Sequence, residues 1–191
     1  MLGKIARRIV SIMRRMILIV NSVRQLKKAP PISEEIKAGI LYCGFIPSDA
    51  AVVQLLIRQL NNGVGFDDRR LLYQLVGSKL IIVAKSHDRK QPKLVGVDLY
   101  YFNQRDFNDR TVHEGFVGVD PNYQGRGIAS EMRIHAISHF NQAGFKGIST
   151  RISLSNKPSL ASALKLGFQP VETYKDQITG EDRHYLIKWF A

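Results

Sequence analysis

Val117-Gly-Val-Asp-Pro-Asn-Tyr-Gln-Gly-Arg-Gly-Ile-Ala129 is the stretch that decides the reading of this chain. An apolar, β-branched run ends at Val119, Asp120-Pro121 opens a turn, and a glycine-rich loop leads into a helical pattern over 125–143 closed by Gly144. The first N–H groups of a helix lack intrahelical acceptors, and together with the macrodipole they make an anion site. Gly125 and Gly127 keep side chains from holding a phosphate away from that backbone. Three phosphate-binding chemistries use such a loop. A dinucleotide fold wants Gly-x-Gly-x-x-Gly with an acid about 20 residues on, but Ser130 stands at the third glycine and residues 143–155 contain no Asp or Glu. A P-loop wants Gly-Lys-Ser or Gly-Lys-Thr, which is absent.

The third remains. Gln124-Gly-Arg-Gly-Ile-Ala129 matches the pattern Gln/Arg-x-x-Gly-x-Gly/Ala, and Asn156-Lys-Pro-Ser-Leu-Ala-Ser-Ala-Leu-Lys-Leu-Gly-Phe168 follows as a second block, an Asn leading a helix that ends Leu-Gly-Phe. With both blocks in order, the chain resembles the GNAT (Gcn5-related N-acetyltransferase) superfamily over most of residues 36–191. The resemblance implies acetyl-CoA as acyl donor and no metal. Gln124, Gly125, Arg126, Gly127, Ile128 and Ala129 would hold the pyrophosphate, Val117 and Val119 the pantetheine arm, and Asn156 and Ser159 the cofactor from the second block. A turn-capping Asn156 and a helix-capping Ser159 are compatible with those roles.

Direct attack of an amine on a thioester requires a base, because an amine near neutral pH is mostly ammonium. The candidates are His113 and Glu114, neighbours on one strand. Strict alternation puts Glu114 with Phe116, and His113 with Gly115, Val117 and Val119. Family analogy favours Glu114; the unperturbed pKa favours His113. Many relatives carry a general-acid Tyr seven residues after the Asn, where this chain has Ala163, which leaves Tyr174, Tyr185 or water as the acid. The leading expectation is transfer to a primary amine of a small molecule, such as an amino sugar or amino-sugar nucleotide. A non-catalytic CoA-binding sensor or scaffold and a protein N-acetyltransferase are the alternatives. Segments 61–75 and 103–110 are the expected substrate contacts.

Working outward, the 191 residues suit one domain plus a modest extension. Net charge is +12, but residues 1–33 hold eight basic residues and no acid. The basicity therefore belongs mostly to an N-terminal arm. Its apolar residues Leu2, Ile5, Ile9, Met13, Met16, Val20 and Val23 recur at helical spacing opposite Lys4, Arg7, Arg8, Arg14 and Arg15. Such a helix suits an anionic membrane surface through residues 2–28, or packing on its own domain or a second subunit; only charge favours nucleic acid. Residues 1–33 are thus read as a basic amphipathic helix and a Pro-containing linker, and 34–191 as the acyltransferase domain. Relatives often pair, so a homodimer is compatible. Cys43, the sole cysteine, lies in an apolar run and reads as packing. No run approaches the length of a membrane span or signal core. The expected setting is cytoplasmic, with peripheral attachment at the inner membrane face through the arm.

Strands are expected at Ile36–Phe45, Lys79–Ala84, Lys93–Tyr101, Thr111–Val119, Ile148–Leu154, Phe168–Tyr174 and His184–Phe190. Helices are expected from Ser48 to Leu60, Phe66 to Leu75, Gly125 to Ala143 and Pro158 to Leu166, with Asn103–Arg110 a loop. This order predicts an α/β (α+β) fold, a mixed, mostly antiparallel sheet flanked by helices, with an extra N-terminal helix.

Overall fold

The computed structural model describes residues 2–66, 69–87 and 92–191. Eight strands form one sheet in the order β1-β2-β3-β4-β5-β6-β8-β7. They are β1 (Glu35–Lys37), β2 (Ile40–Gly44), β3 (Ile81–Ser86), β4 (Leu94–Tyr101), β5 (Thr111–Val119), β6 (Gly147–Ser153), β7 (Gln169–Lys175) and β8 (Asp182–Trp189). Every neighbouring pair is antiparallel except β5 and β6, which run parallel. The helices are α1 (Leu2–Gln25), α2 (Ala50–Leu60), α3 (Arg70–Leu80), α4 (Gln104–Asp109), α5 (Ile128–Gln142) and α6 (Lys157–Lys165). This is the expected mixed α/β fold.

The sheet centre is apolar on both faces. Strands β3 and β4 are buried almost throughout, and α5 sets Ile128, Met132, Ala136 and Phe140 against them. On the other side of β5, the Leu60 end of α2 lies against Phe116 and Gly118. The arm is more than an appendage. Leu26, Ala29 and Ile32, just after α1, are buried in the core, and Lys79 donates to the Leu26 carbonyl at 2.9 Å. The chain therefore joins the domain's packing before residue 34. Upstream, Val10, Ile12, Met13, Met16, Ile17, Val20 and Val23 are all exposed. No described helix is long and apolar enough to cross a membrane.

Three local expectations change. The strand expected over Ile36–Phe45 is a hairpin, because Ala38 (φ 50°) and Gly39 (φ 74°) both take left-handed backbone and turn β1 back on β2. The helix expected from Phe66 starts at Arg70 and, across a kink at Val76 (φ -135°, ψ 18°), helical structure continues to Leu80, with Val76, Gly77 and Leu80 buried; Asp67 and Asp68 of the expected span lie outside the described residues. The expected loop 103–110 contains α4, closed by a reciprocal cap in which Asn103 accepts from the Arg105 and Asp106 amides and Asp106 accepts from the Asn103 amide.

Candidate active site

Strand β5 organises the site through one irregularity. Leu99 pairs with Phe116, but the next residue of β4, Tyr100, pairs with Glu114, so Gly115 is an extra residue in a bulge. A Cβ on Gly115 would run into the Tyr101 ring. The bulge resets the alternation. Residues opposed in an antiparallel pair share a face. Glu114 (opposite Tyr100), Val117 (opposite Asp98) and Val119 (opposite Gly96) therefore face α5 together, while His113 shares the other face with Phe116. This reverses the grouping that strict alternation gives.

The same point opens the sheet. β5 and β6 pair only from Thr111–Gly147 to Glu114–Thr150, yet both strands continue, to Val119 and Ser153. Beyond Glu114 the two diverge, and the edge of β5 that faces β6 is left without a ladder. The resulting cleft, about 980 Å³, runs between this wedge and the starts of α5 and α6. Its walls include Glu114, Val117, Val119, Gln124, Asn156 and Ser159. An extended chain with amide groups can use such an edge as an added strand would.

At the head of the cleft, Gly125 (φ 75°) and Gly127 (φ 78°) have left-handed backbone, and a Cβ on either would project into open space. Gly127 precedes α5, whose start carries no side-chain cap. The first-turn amides Ile128, Ala129 and Ser130 thus meet the cleft with donors to spare. Gln124 supports the loop by donating from Nε2 to the Val119 carbonyl at 3.0 Å. Arg126 sits over the Tyr123 ring, 4.9 Å from its centre. Bare backbone, free amides and a nearby guanidinium fit a pyrophosphate, and the unpaired strand edge fits a pantetheine arm.

At the wedge apex is a buried ion pair. Arg133 of α5 donates from Nε and Nη2 to the two Glu114 carboxylate oxygens at 2.7 and 2.8 Å, and Thr150 Oγ1 donates to Glu114 at 2.9 Å. Arg133 also reaches the Ser159 carbonyl (3.3 Å) and hydroxyl (3.1 Å), tying α6 to β5. Burial works against the guanidinium charge, but Glu114 outweighs it and the pKa of Arg133 is raised. Burial pushes the Asp98 carboxyl well above the usual range; it lies in the field of the same pair and accepts from Tyr100 Oη at 2.7 Å. Arg133 escaped the sequence reading. Its trace was an arginine one turn after Ala129 and flanked by Met132 and Ala136, a position of core-facing spacing.

His113 does not line the cleft. It is buried on the opposite face, its Nδ1 2.7 Å from Ser149 Oγ, and Ser149 donates onward to Asp106. Burial, with the charges of Arg151 and Arg69, lowers its pKa to about 3, so it is neutral near pH 7. Asn156 accepts from the Ser159 amide at 3.2 Å, so it caps α6 while lining the cleft. Ala163 is fully buried, and the neighbouring Ser162 meets the cleft, 3.0 Å from Ser130 Oγ. Neither Tyr174 nor Tyr185 lines it. No cluster of His, Cys, Asp and Glu among the described residues is arranged to hold a metal.

A wedge between parallel strands, opening onto an uncapped glycine-led helix, is an architecture with known counterparts. The model of the acetyltransferase (GNAT) family matches residues 50–168. The chain belongs to the GNAT acetyltransferase family. A mycothiol acetyltransferase from Saccharomonospora viridis is 36% identical over 72 residues, which are 37% of this chain and 24% of that protein, so the match spans about a quarter of the relative's length. Naa50 of Arabidopsis thaliana, in complex with the bisubstrate analogue CoA-Ac-MVNAL, superposes with a TM-score of 0.66 at 17% identity over 80% of this chain and 100% of that one. The protein yncA of Salmonella typhimurium, with its cofactor acetyl-CoA, gives 0.65 at 17% identity, over 80% of this chain and 95% of that one. At such identities the likeness speaks for the fold.

Proposed function

We propose that this GNAT transfers an acetyl group from acetyl-CoA to a primary amine of a small molecule. The observation that carries the reading is the parting of β5 from β6 at Glu114 and Thr150, within one cleft with the uncapped start of α5. When bound, acetyl-CoA supplies a thioester carbonyl activated toward amines. The chain's own groups do the rest. The loop from Gln124 to Ala129 holds the pyrophosphate, the Val117–Val119 edge orients the pantetheine, and Asn156 and Ser159 border it. A main-chain N–H of this edge would be the donor available to the thioester oxygen. Glu114, paired with Arg133, takes the ammonium proton through a water, since its carboxylate retains acceptor capacity beyond its present bonds, and the departing thiolate would take its proton from water, since neither Tyr174 nor Tyr185 lines the cleft. His113, buried and neutral, fixes the strand from behind.

The small-molecule class is supported by the relative named for mycothiol; amino sugars and amino-sugar nucleotides are our candidates within it. The peptide carried by the analogue bound to Naa50 keeps a protein or peptide amine as the second reading. Free thiol released from acetyl-CoA, measured across a panel of amino sugars, amino acids, polyamines and short peptides, tests the proposal. Turnover only with peptides moves the assignment to the second reading. Silence across the panel with CoA binding intact by calorimetry leaves a non-catalytic CoA-binding protein. Glu114→Gln should lower kcat by about a hundredfold while keeping CoA affinity.

We also infer that α1 seats on an anionic lipid surface. The exposed row from Val10 to Val23 is not covered by the domain, and Arg14 and Arg15 accompany it with no acidic residue on the helix.

A further inference from the structure

The charged side chains of the cleft wall are Glu114, Arg133, Arg151, Glu181 and Arg183. Glu114 is matched by Arg133 at 2.7 Å, and Glu181 by Arg183 at 3.0 Å. Arg151 is left over: it is exposed and makes no ion pair among the described residues. Its place in the strand is equally specific. Thr150 is the last residue of β6 paired to β5, so Arg151 is the first residue past the point of divergence, and its side chain stands on the face opposite Glu114's partner Thr150. That face carries His113 and Ser149, away from the α5 side where the pyrophosphate loop lies.

The surroundings reinforce a positive site. Arg151 pairs across the sheet with Tyr185 and lies 5.8 Å from its ring centre, and Arg105 stacks on the same ring at 4.1 Å. Arg69 stacks on Tyr101 at 3.9 Å. The rings of Tyr101, His113 and Tyr185 form a row, with centroids 5.0 and 6.1 Å apart, so three guanidiniums lean on one aromatic platform in which His113 and Tyr185 are buried and Tyr101 partly so. Of the acids here, Glu172 is engaged by Arg105, and Asp106 is buried beneath Ser149 and Thr111. Stacked guanidiniums lose little freedom on engaging an oxyanion and present a fork of donors that fits carboxylate or phosphate.

From this charge balance we propose that the acceptor amine carries a carboxylate or phosphate group, and that Arg151 binds it at the acceptor end of the cleft. The inference deepens, and rests on, the acetyl-transfer reading above. Arg151 acts on binding and takes no proton. The acceptor's amine then lies toward Glu114 and the thioester, with its anionic group on the opposite face of the sheet.

Matched amines test it: glucosamine against glucosamine 6-phosphate, ethanolamine against phosphoethanolamine, and tyramine against tyrosine. Each is assayed with acetyl-CoA on the full chain, on Arg151→Gln and on Arg151→Lys. In at least one pair the anionic member should have a kcat/KM about tenfold above its neutral partner. Arg151→Gln should remove that advantage by raising its KM about tenfold, with kcat, the neutral partner's KM and the acetyl-CoA KM within about twofold. Arg151→Lys should restore part of it. The phosphate and carboxylate pairs say which oxyanion is preferred. Neutral members preferred throughout, an anionic preference that survives Arg151→Gln, or a loss that falls on the acetyl-CoA KM overturns the proposal. If no amine turns over although CoA binds, acetyl transfer itself fails. Calorimetry of the CoA-saturated chain with the anionic members then decides: Arg151-dependent binding upholds the anion site, and its absence overturns it.

Discussion

Arg133 grips both carboxylate oxygens of Glu114, at 2.7 and 2.8 Å, with both side chains almost completely buried where β5 and β6 part. The pair joins β5 to α5, and its bonds to Ser159 bring in α6, so one guanidinium fixes three walls of the cleft. Fixed geometry of this kind suits a group that must meet a substrate without reorganising.

Arg133→Met should therefore cost more than its lost contacts. Removing one partner of a buried pair strands the other charge, at about 3–5 kcal/mol, or a Tm drop on the order of 10 °C for a chain of this size. Here the stranded Glu114 would also face Asp98. Glu114→Leu combined with Arg133→Met should be less destabilising than the two single changes added together. Additive melting data from the cycle would show that the pair is not energetically coupled.

Gly127 has φ 78°, and a side chain there would fill the space in front of the first α5 amides. Gly127→Val should lower stability by about 1–2 kcal/mol from the left-handed backbone alone. Its larger effect should be on CoA, with Kd rising by about a hundredfold, as one or two charge-assisted hydrogen bonds of about 1.5–3 kcal/mol each are lost. Gly127→Asn tolerates that backbone better and separates the two effects. Calorimetric affinity for CoA that is unchanged in both variants would remove the pyrophosphate from this loop.

How legible was all this in the residues? Val117–Ala129 and Asn156–Phe168 announced the cradle because loop glycines and a helix-leading Asn act locally, through backbone. Strand β5 was legible to the residue for the same reason. What stayed hidden depends on partners distant in sequence. The bulge at Gly115 exists because β4 slips by one residue against β5 and Tyr101 fills the place of a side chain, and no periodicity within 111–119 reveals it. That slip moved Val117 and Val119 onto the face of Glu114. The α4 helix was missed because its six residues are too few for a period; its signal was the Asn103-x-x-Asp106 cap. Arg133 was passed over because charge on a helix normally means solvent, and here a carboxylate on another element reverses that.

His113 gives a pH signature. Its folded pKa is depressed to about 3 against an ordinary 6.5, so between those values the unfolded chain binds a proton that the folded chain refuses. Stability is thus fully present above pH 6.5 and falls as pH drops through that window, by about 1.4 kcal/mol per unit. From pH 6.5 to 5 the loss should be about 2 kcal/mol, read from urea midpoints. His113→Gln should flatten this slope whatever its absolute stability. Asp98, whose raised pKa acts in the opposite sense, is common to both proteins and cancels in the difference. Identical slopes would mean that the ring is solvated and titrates normally.

The exposed row on α1 gives the last test, and the structure says where to cut. Removing residues 2–28 would take away Leu26, which is buried, and Lys79's acceptor with it, so loss of membrane binding in that variant could reflect unfolding. Removal of residues 2–17 keeps Ser22, Leu26, Ala29 and Ile32 in place and should leave Tm and CoA affinity near those of the full chain. It should abolish sedimentation with phosphatidylserine-rich vesicles. Met13→Glu with Met16→Glu should do the same in the full-length chain, because both side chains are about half exposed (58% and 47%) and turn away from the domain. Binding should also weaken at about 1 M salt, where the Debye length shrinks to about 3 Å and the arginines no longer sense the surface charge. If the truncated chain still sediments, another surface holds the lipid. If neither form sediments but the full chain alone is a dimer by light scattering, the row on α1 is covered by a second copy instead.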